Sequence, residues 1–346
     1  MQLWHDLRDY LGGRADDTPP VQRSRWRLPH SLAAQAANGD LYGTTSGGGA
    51  GAGLGTVYKF STGGTLTILH SFNERDGSAP QAGLVLAAGG DFYGTTLMGG
   101  SYNNYGTIFS ITPAGALTTL HKFHNADGAY PSGGLIQGTD GNLYGVTAWG
   151  GAFSAGTIFK LTPGGTLTTF HAFNVTDGSQ PIGGLIQATD GNFYGSTASG
   201  GSGGHGTIFQ ITLQGTLTTL HSFVSSDGSG SGSEGALVQG TDGNFYGTST
   251  TGGSNSGGTV FSLSVGLGPF VKTLPTSGKV GAAVKILGTN LTGATSVGFH
   301  GTAAAFTVVS ASEISATVPA GATTGKVRVT TPEGTLLSDV AFRVRP

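Results

Sequence analysis

Aspartates recur at one position of a repeated pattern, and they are the first side chains to consider for chemistry. Two carboxylates held about 5–10 Å apart can act as acid and base in glycoside hydrolysis. An Asp that precedes Gly can instead accept hydrogen bonds from its own loop. Because acid–base chemistry needs only two such groups, their occurrence in four repeats favours the structural role. If the protein is an enzyme, the candidate catalytic residues are Asp76, Asp127, Asp177, Asp227 and Glu234.

Aromatic and amide side chains accompany these aspartates in the longer predicted loops. A sugar stacks its apolar ring face on an aromatic side chain, while its hydroxyl groups pair with planar donors and acceptors. Trp149 is the sharpest candidate for such a contact, and folding back onto neighbouring loops is its structural alternative. The candidate ligand-binding residues are Trp149, Tyr102, Asn104, Tyr130, His124 and His205.

Histidines recur in an LHSF-like motif and resemble metal ligands by type. They fall on the last predicted strand of each repeat, so they lie around a perimeter and cannot converge on one ion. The aspartates lack the dense run of oxygen donors that calcium needs. We therefore expect no metal and no cofactor, and we expect each histidine to be a packing residue with one hydrogen bond. These histidines are His5, His70, His121, His171 and His221.

An internal repeat positions all of these residues. Its aligned tyrosines are Tyr42, Tyr93, Tyr144, Tyr194 and Tyr246, which are 51, 51, 50 and 52 residues apart. In the third repeat, alternating β-like runs cover residues 135–138, 142–147, 156–162 and 167–173, separated by Asp-Gly and Pro-Gly-Gly turns. Four short strands in a unit of this length, repeated five times, predict an all-β, five-bladed β-propeller of four-stranded blades.

The fifth repeat supplies three strands before the composition changes, and the start of the chain offers the fourth. WHDL at residues 4–7 matches LHKF at residues 120–123. We predict that residues 2–8 close the fifth blade, because an unpaired edge strand would template association. Residues 9–30 then form an irregular insertion, and the propeller domain covers residues 1–267.

Glutamines align on the innermost predicted strand of the blades. We expect them to line the axial channel, with water among them. They are Gln35, Gln137, Gln187 and Gln239, with Leu86 in the remaining repeat.

A second domain is predicted over residues 268–346, where about seven short alternating runs have the spacing of a β-sandwich. Thr289-Asn290-Leu291, Val318-Pro319-Ala320 and Thr324-Gly325-Lys326-Val327 make it resemble the IPT/TIG immunoglobulin-like domain. The resemblance implies a spacer or accessory module.

The repeats resemble the bacterial GloVer tandem-repeat (choice-of-anchor) β-propeller family, whose motif reads DGNxYGxT, GG, GTxF, LxxLHxF and DGxxP. DGNLYG at residues 140–145 and GTIF at residues 156–159 match it, whereas residues 32–40 and the proline-free residues 228–233 depart from it. The resemblance implies a secreted or cell-surface protein, although residues 1–10 lack the order of a secretory signal. It assigns no catalytic residue.

Charge and composition exclude several functions. The formal net charge is −2, and residues 31–267 hold four basic residues against eleven carboxylates. Phosphate backbones need a basic surface, so we expect no nucleic acid partner. No apolar run approaches the ~20 residues of a membrane span. No cysteine is present, which excludes thiol chemistry.

Blade topology places the long loops together. The second-to-third loops and the connections between blades share one face, and binding residues concentrate on such loops. A lectin-like protein that binds a carbohydrate or cell-surface glycan is our interpretation. A glycoside hydrolase that uses loop carboxylates is one alternative, and a structural surface protein is another.

Overall fold

The structure is a computed structural model that describes residues 33–36, 38–100, 103–226, 236–253 and 257–345. In these ranges the regular secondary structure consists of β-strands, which confirms the all-β prediction. The same ranges contain no helix of the length and apolar character that crossing a bilayer demands.

Repeats one to four each form one four-stranded antiparallel sheet whose strands pair in chain order, as a propeller blade requires. Blade 1 contains β1 (Ala34–Gln35), β2 (Leu41–Thr45), β3 (Thr56–Phe60) and β4 (Leu66–Ser71); blade 2 contains β5 (Val85–Leu86), β6 (Phe92–Thr96), β7 (Thr107–Ile111) and β8 (Leu117–Lys122); blade 3 contains β9 (Ile136–Gln137), β10 (Leu143–Thr147), β11 (Thr157–Leu161) and β12 (Leu167–Ala172); blade 4 contains β13 (Ile186–Gln187), β14 (Phe193–Ser196), β15 (Thr207–Ile211) and β16 (Leu217–Ser222).

The short turn after the first strand of blade 3 is held by Asp140. Its carboxylate accepts hydrogen bonds from the Asn142 side chain at 2.7 Å and from the Tyr144 hydroxyl at 2.8 Å, and it pairs with Lys160 at 3.2 Å. Burial raises the pKa of Asp140, but these partners outweigh burial and lower it to about 2. The DGN motif therefore fixes both the reversal and the following strand.

Blade 1 reverses this motif. Asn38 stands where blade 3 has Asp140, and Asp40 stands where blade 3 has an asparagine. The Asp40 carboxylate nevertheless pairs with Lys59 at 3.1 Å, and it accepts the Asn38 amide at 2.9 Å. The lysine pair and the amide contact of this turn therefore form with the acid and the amide exchanged.

Blade 3 is buried on both faces. On one face, Tyr144 and Ile158 belong to a core with Phe193 and Phe209 of blade 4, and the Tyr144 and Phe193 rings lie 4.2 Å apart. Phe159, on the other face, joins a core with residues of blade 2. Apolar alternation along β10 and β11 thus supplies two interfaces.

Glutamines on the innermost strands connect neighbouring blades. The Gln187 Oε1 accepts the Thr139 backbone N–H at 2.9 Å, and its Nε2 donates to the Thr139 hydroxyl at 3.1 Å. Gln137 and Gln239 accept the Ala88 and Thr189 N–H groups in the same way. These amides are therefore bonded to the neighbouring blade, and the water among them in the axial channel stays a prediction.

Blade 5 contains β17 (Val238–Gln239), β18 (Phe245–Ser249) and β19 (Thr259–Leu263). The closing strand predicted at residues 2–8 and the insertion at 9–30 lie outside the described residues. Val260 is 81% exposed, whereas its equivalents in the other blades are at most 1% exposed. Those equivalents are Val57, Ile108, Ile158 and Ile208.

The C-terminal domain is a β-sandwich, as predicted. Its strands are β20 (Lys272–Leu274), β21 (Ser277–Lys279), β22 (Ala283–Leu287), β23 (Ser296–Phe299), β24 (Thr302–Ala303), β25 (Phe306–Ser310), β26 (Glu313–Thr317), β27 (Gly325–Thr331) and β28 (Gly334–Arg345). One sheet has the order β20-β22-β26-β25 and the other β21-β28-β27-β23-β24. Ile286, Val329 and Phe342 are buried in the core between the two sheets.

The compact unit that contains this sandwich also includes Ala188–Asp190 and Val238–Tyr246, which precede it in the chain. Within the unit, the Thr241 and Thr289 hydroxyls lie 2.8 Å apart, and the Phe270 N–H donates to the Thr241 carbonyl at 2.9 Å. The division between residues 267 and 268 stays a prediction.

Candidate functional site

The connection into blade 3 pairs with the second-to-third loop of that blade. Ala129 and Trp149 form an antiparallel bridge, and the Gly151 N–H donates to the Asn125 carbonyl at 2.8 Å. Equivalent bridges join Ser78 to Met98 and Ser179 to Ser199. We call these paired connections and loops the long-loop face.

Trp149 combines a fixed backbone with an open side chain. Its N–H donates to the Ala129 carbonyl at 3.0 Å, and its carbonyl accepts the Ala129 N–H at 2.7 Å and the Thr147 hydroxyl at 3.0 Å. Trp149 is 47% exposed as a residue, and Phe153 in the same loop is 61% exposed. No aromatic ring within the described ranges stacks on the indole, so a ligand can reach it from solvent.

Tyr130 lies in the connection into blade 3, and, unlike Trp149, its ring packs against another aromatic ring. Its backbone has a φ of 57°, and its carbonyl accepts the Ala148 N–H at 3.0 Å. Its ring meets the Tyr105 ring edge to face, with centroids 6.0 Å apart. Tyr130 thus joins the blade 2 and blade 3 loops, and its ring contacts Tyr105.

The other predicted ligand-binding residues are spread over three blades. Asn104 accepts the Gly99 N–H through Oδ1 and so shapes the blade 2 loop. The exposed His124 lies in the connection that carries Tyr130, with its ring 6.5 Å from that of His121. His205 is exposed in the loop of blade 4, and Tyr102 lies outside the described residues. The structure therefore gathers Trp149, Tyr130 and His124 around blade 3.

The repeated aspartates have one geometry in three blades. Asp127 accepts His121 Nε2 at 3.0 Å through one oxygen and the His124 backbone N–H at 2.8 Å through the other. Asp76 and Asp177 do the same with His70 and His171, and with the backbone N–H groups of Asn73 and Asn174. Asp227 and Glu234 lie outside the described residues. These contacts confirm the hydrogen-bonded role expected for three histidines.

Paired threonines support the long-loop face, and our sequence interpretation missed them. Thr147 and Thr157 are fully buried with their hydroxyls 2.8 Å apart, and the Thr157 hydroxyl reaches the Asp127 carbonyl at 3.3 Å. The pair recurs as Thr96 with Thr107 and as Thr197 with Thr207. Its signal was present in the last Thr of DGNxYGxT and the Thr of GTxF.

Acidic and histidine side chains do not form a metal cluster in the part of the chain that the structure describes. The His–Asp pairs consist of two residues each and recur in separate blades. A structural site would need about four ligands around one ion.

Comparison with family models decides the affiliation of the chain. The model of the Gloeobacter/Verrucomicrobia repeat matches residues 22–188 and 139–305. The chain belongs to the Gloeobacter/Verrucomicrobia repeat family. An IPT/TIG domain model matches residues 269–344 of this family member. Both resemblances inferred from the sequence are thereby confirmed. No curated protein matches the chain.

Solved structures show distant similarity to this repeat protein. Virginiamycin B lyase from Staphylococcus aureus is 12% identical, with 92% of this chain and 85% of that chain covered and a TM-score of 0.45. A putative 6-phosphogluconolactonase from Bacteroides fragilis is 15% identical, with coverages of 84% and 88% and a TM-score of 0.39. An α-L-arabinofuranosidase from Clostridium thermocellum is 17% identical, with coverages of 63% and 80% and a TM-score of 0.36. Such low values say nothing of a shared activity.

Proposed function

We propose that the protein is a secreted or cell-surface lectin-like protein that binds a carbohydrate at its long-loop face, with Trp149 as the main contact. The observation that carries the proposal is Trp149, a residue that is 47% exposed and whose backbone is fixed by three hydrogen bonds. A rigid aromatic side chain loses little conformational entropy on binding. The repeat and IPT/TIG domains support a location outside the cell.

Neighbouring side chains suit the amphipathic surface of a sugar. Phe153 adds a second exposed aromatic ring to the blade 3 loop. His124 brings a ring that can donate or accept a hydrogen bond, and it lies in the connection that pairs with this loop. Apolar stacking surface beside a few polar groups is the usual composition of a small-molecule site.

The aspartate contacts favour binding over hydrolysis. A catalytic acid is normally a carboxyl group that an apolar environment keeps protonated. Asp76, Asp127 and Asp177 each use both oxygens for a histidine and a backbone N–H of their own loop. This shared arrangement accounts for their recurrence without a reaction. The glycoside hydrolase remains the alternative that the experiment must distinguish.

The experiment is a glycan array with the wild type, Trp149→Ala and Met98→Ala. Met98 occupies the equivalent loop position in blade 2, with its side chain 38% exposed, so it controls for a change of this loop. Loss of indole stacking should weaken binding by about fivefold or more. The Met98 variant should bind like the wild type.

Reducing-sugar release from the same glycans tests the enzyme alternative. Asp127→Asn should leave binding and product formation unchanged if the protein is a lectin. Turnover by the wild type that Asp127→Asn, Asp76→Asn or Asp177→Asn abolishes, with binding preserved, would overturn the proposal. Removing an essential proton-transfer group costs about 10²–10⁴ in rate, which such an assay resolves.

A further inference from the structure

One outer face of the C-terminal sandwich is strongly basic. Residues 269–346 contain seven Lys and Arg but three carboxylates, against a net charge of −2 for the whole chain. Five of the seven cations are exposed on adjacent strands of the five-stranded sheet. We call these residues the basic sheet face: Lys279, Lys326, Arg328, Arg343 and Arg345.

Strand register makes this face continuous. Lys279 lies beside Arg345 in the parallel pair β21–β28, and Lys326 lies beside Ala341 in the pair β27–β28. Arg343 is two residues from both Arg345 and Ala341, so all of them point to the same side of the sheet. Buried Val327 and Phe342 alternate with these cations and face the core.

The cations of this face are not neutralised by neighbours. None of the five forms an ion pair with a carboxylate within the described ranges. The opposite sheet differs, because its exposed Lys285 pairs with Glu313 at 3.1 Å. Arg345 is held in place by its Nε and Nη2 atoms, which donate to the Ser277 hydroxyl at 3.0 and 2.7 Å. Positive charges on neighbouring strands repel one another, and a bound anion would relieve that repulsion.

We propose that the basic sheet face binds a carboxylated polysaccharide. An arginine guanidinium matches a planar carboxylate with two parallel hydrogen bonds, and this face carries three arginines. Leu337 opposes Arg328 and is half exposed, so it offers an apolar surface for the C–H face of a sugar ring. Cations interleaved with aliphatic side chains therefore complement an acidic sugar chain.

Other polyanions fit this face less well. Single-stranded nucleic acid is bound through bases stacked on aromatic side chains, and the exposed residues of β21, β27 and β28 include no aromatic residue. A duplex groove is read by a helix or a narrow ribbon, whereas this face is a broad sheet. Amphipathic elements that lie on a membrane bury several large apolar side chains among the lipids. On this face the large apolar side chain that the register sets beside the cations is Leu337.

The test measures binding of the full chain to immobilised polygalacturonate. The variant Arg328→Gln/Arg343→Gln should lose about tenfold or more in affinity, because charged hydrogen bonds to two carboxylates are removed. The matched control Lys285→Gln/Lys122→Gln removes the same charge from other exposed positions and should bind like the wild type. Raising the salt from about 50 to about 300 mM should weaken wild-type binding by screening. The same arginine variant should still bind the glycans of the array test like the wild type, which separates the basic sheet face from the long-loop face.

Three results would overturn the proposal. Equal losses in the arginine variant and its lysine control would mean that only net charge matters. Tighter binding of duplex DNA or of phosphatidylglycerol vesicles than of polygalacturonate would assign another class of partner. Sedimentation velocity that shows self-association of the wild type, lost in the arginine variant, would assign the face to a second copy of the chain.

Discussion

Blades 3 and 5 share one sequence pattern but differ in their surroundings. Ile158 in blade 3 is fully buried against blade 4, whereas Val260 at the same position of blade 5 is 81% exposed. Tyr144 is fully buried, while Tyr246 is exposed. Both tyrosine hydroxyls still donate to the aspartate of their own turn. Local sequence therefore builds the blade, and a neighbouring blade makes it a core element.

The largest effect is expected from removing residues 1–8. In blades 1 to 4 an outer strand covers the edge of the third strand, and residues 2–8 are our prediction for that strand in blade 5. An uncovered edge templates association, so the shortened protein should melt several degrees lower or aggregate. Calorimetry and light scattering check this. An unchanged melting temperature with a monodisperse sample would show that the closing strand is wrongly assigned.

Substitutions at the two equivalent apolar positions sharpen the comparison. Ile158→Ala should reduce the free energy of unfolding by about 2–5 kcal/mol, because it leaves a cavity between blades 3 and 4. Val260→Ala should change it by less than about 0.5 kcal/mol, as for an exposed site. Val57→Ala, at a fully buried valine of blade 1, controls for residue type. Urea denaturation measures all three, and a Val260 cost equal to that of Val57 would mean that the blade 5 face is covered in solution.

Close packing inside blade 3 gives the next effect. A Cβ on Gly145 would lie 2.5 Å from the Phe159 ring, so no larger residue fits at this position. Gly145→Ala should cost about 1–3 kcal/mol through overpacking. Gly164→Ala is the control in the same blade, because the nearest atom to its Cβ, the Thr162 hydroxyl, is 3.9 Å away. Equal denaturation midpoints for both variants would contradict the close packing of Gly145 against the Phe159 ring.

Hydrogen bonds between blades should contribute less. Gln187→Leu copies the residue that blade 2 carries at Leu86, and it removes the acceptor of the Thr139 N–H. We expect a loss of about 0.5–1 kcal/mol in urea denaturation, since the exposed Thr139 N–H exchanges its protein acceptor for water. Gln35→Leu is the control, because Gln35 is exposed and bonds to Gly39 of its own blade. A larger loss in the control would contradict the bridging role.

The smallest effect concerns acid stability. The pKa of Asp140 is lowered from 3.8 to about 2, so its contribution is complete above about pH 4 and disappears as the pH falls through about 2. Blade 5 has Ser262 in place of Lys160, so Asp242 lacks that cation, although its Tyr246 partner still lowers its pKa. Melting temperatures between about pH 6 and pH 2 should fall less steeply for Asp140→Asn than for the wild type, with Asp242→Asn in between. If the melting temperatures of all three proteins fall equally with pH, the stabilising role of the Asp140 carboxylate is contradicted.

The strands of each blade were predictable because their signals are local. Alternation and the Asp-Gly turn at residues 140–141 placed the second strand of blade 3 at 142–147, and the structure has Leu143–Thr147. Candidate loops were located by the same argument. Contacts between Gln187 and Thr139 were not predictable, because they join residues 48 apart in different blades. The exposure of Trp149 and Val260 depends on neighbouring elements, which a residue's own repeat does not specify.

The most direct test of the lectin proposal observes Trp149 itself. The chain has three tryptophans, so replacing Trp4 and Trp26 by Phe leaves Trp149 as the single indole fluorophore. Titration with the strongest array glycan should shift its emission to shorter wavelength and saturate at the affinity measured by the array, because stacking removes the indole from water. A glycan that binds at that affinity without changing the emission of Trp149 would contradict the account.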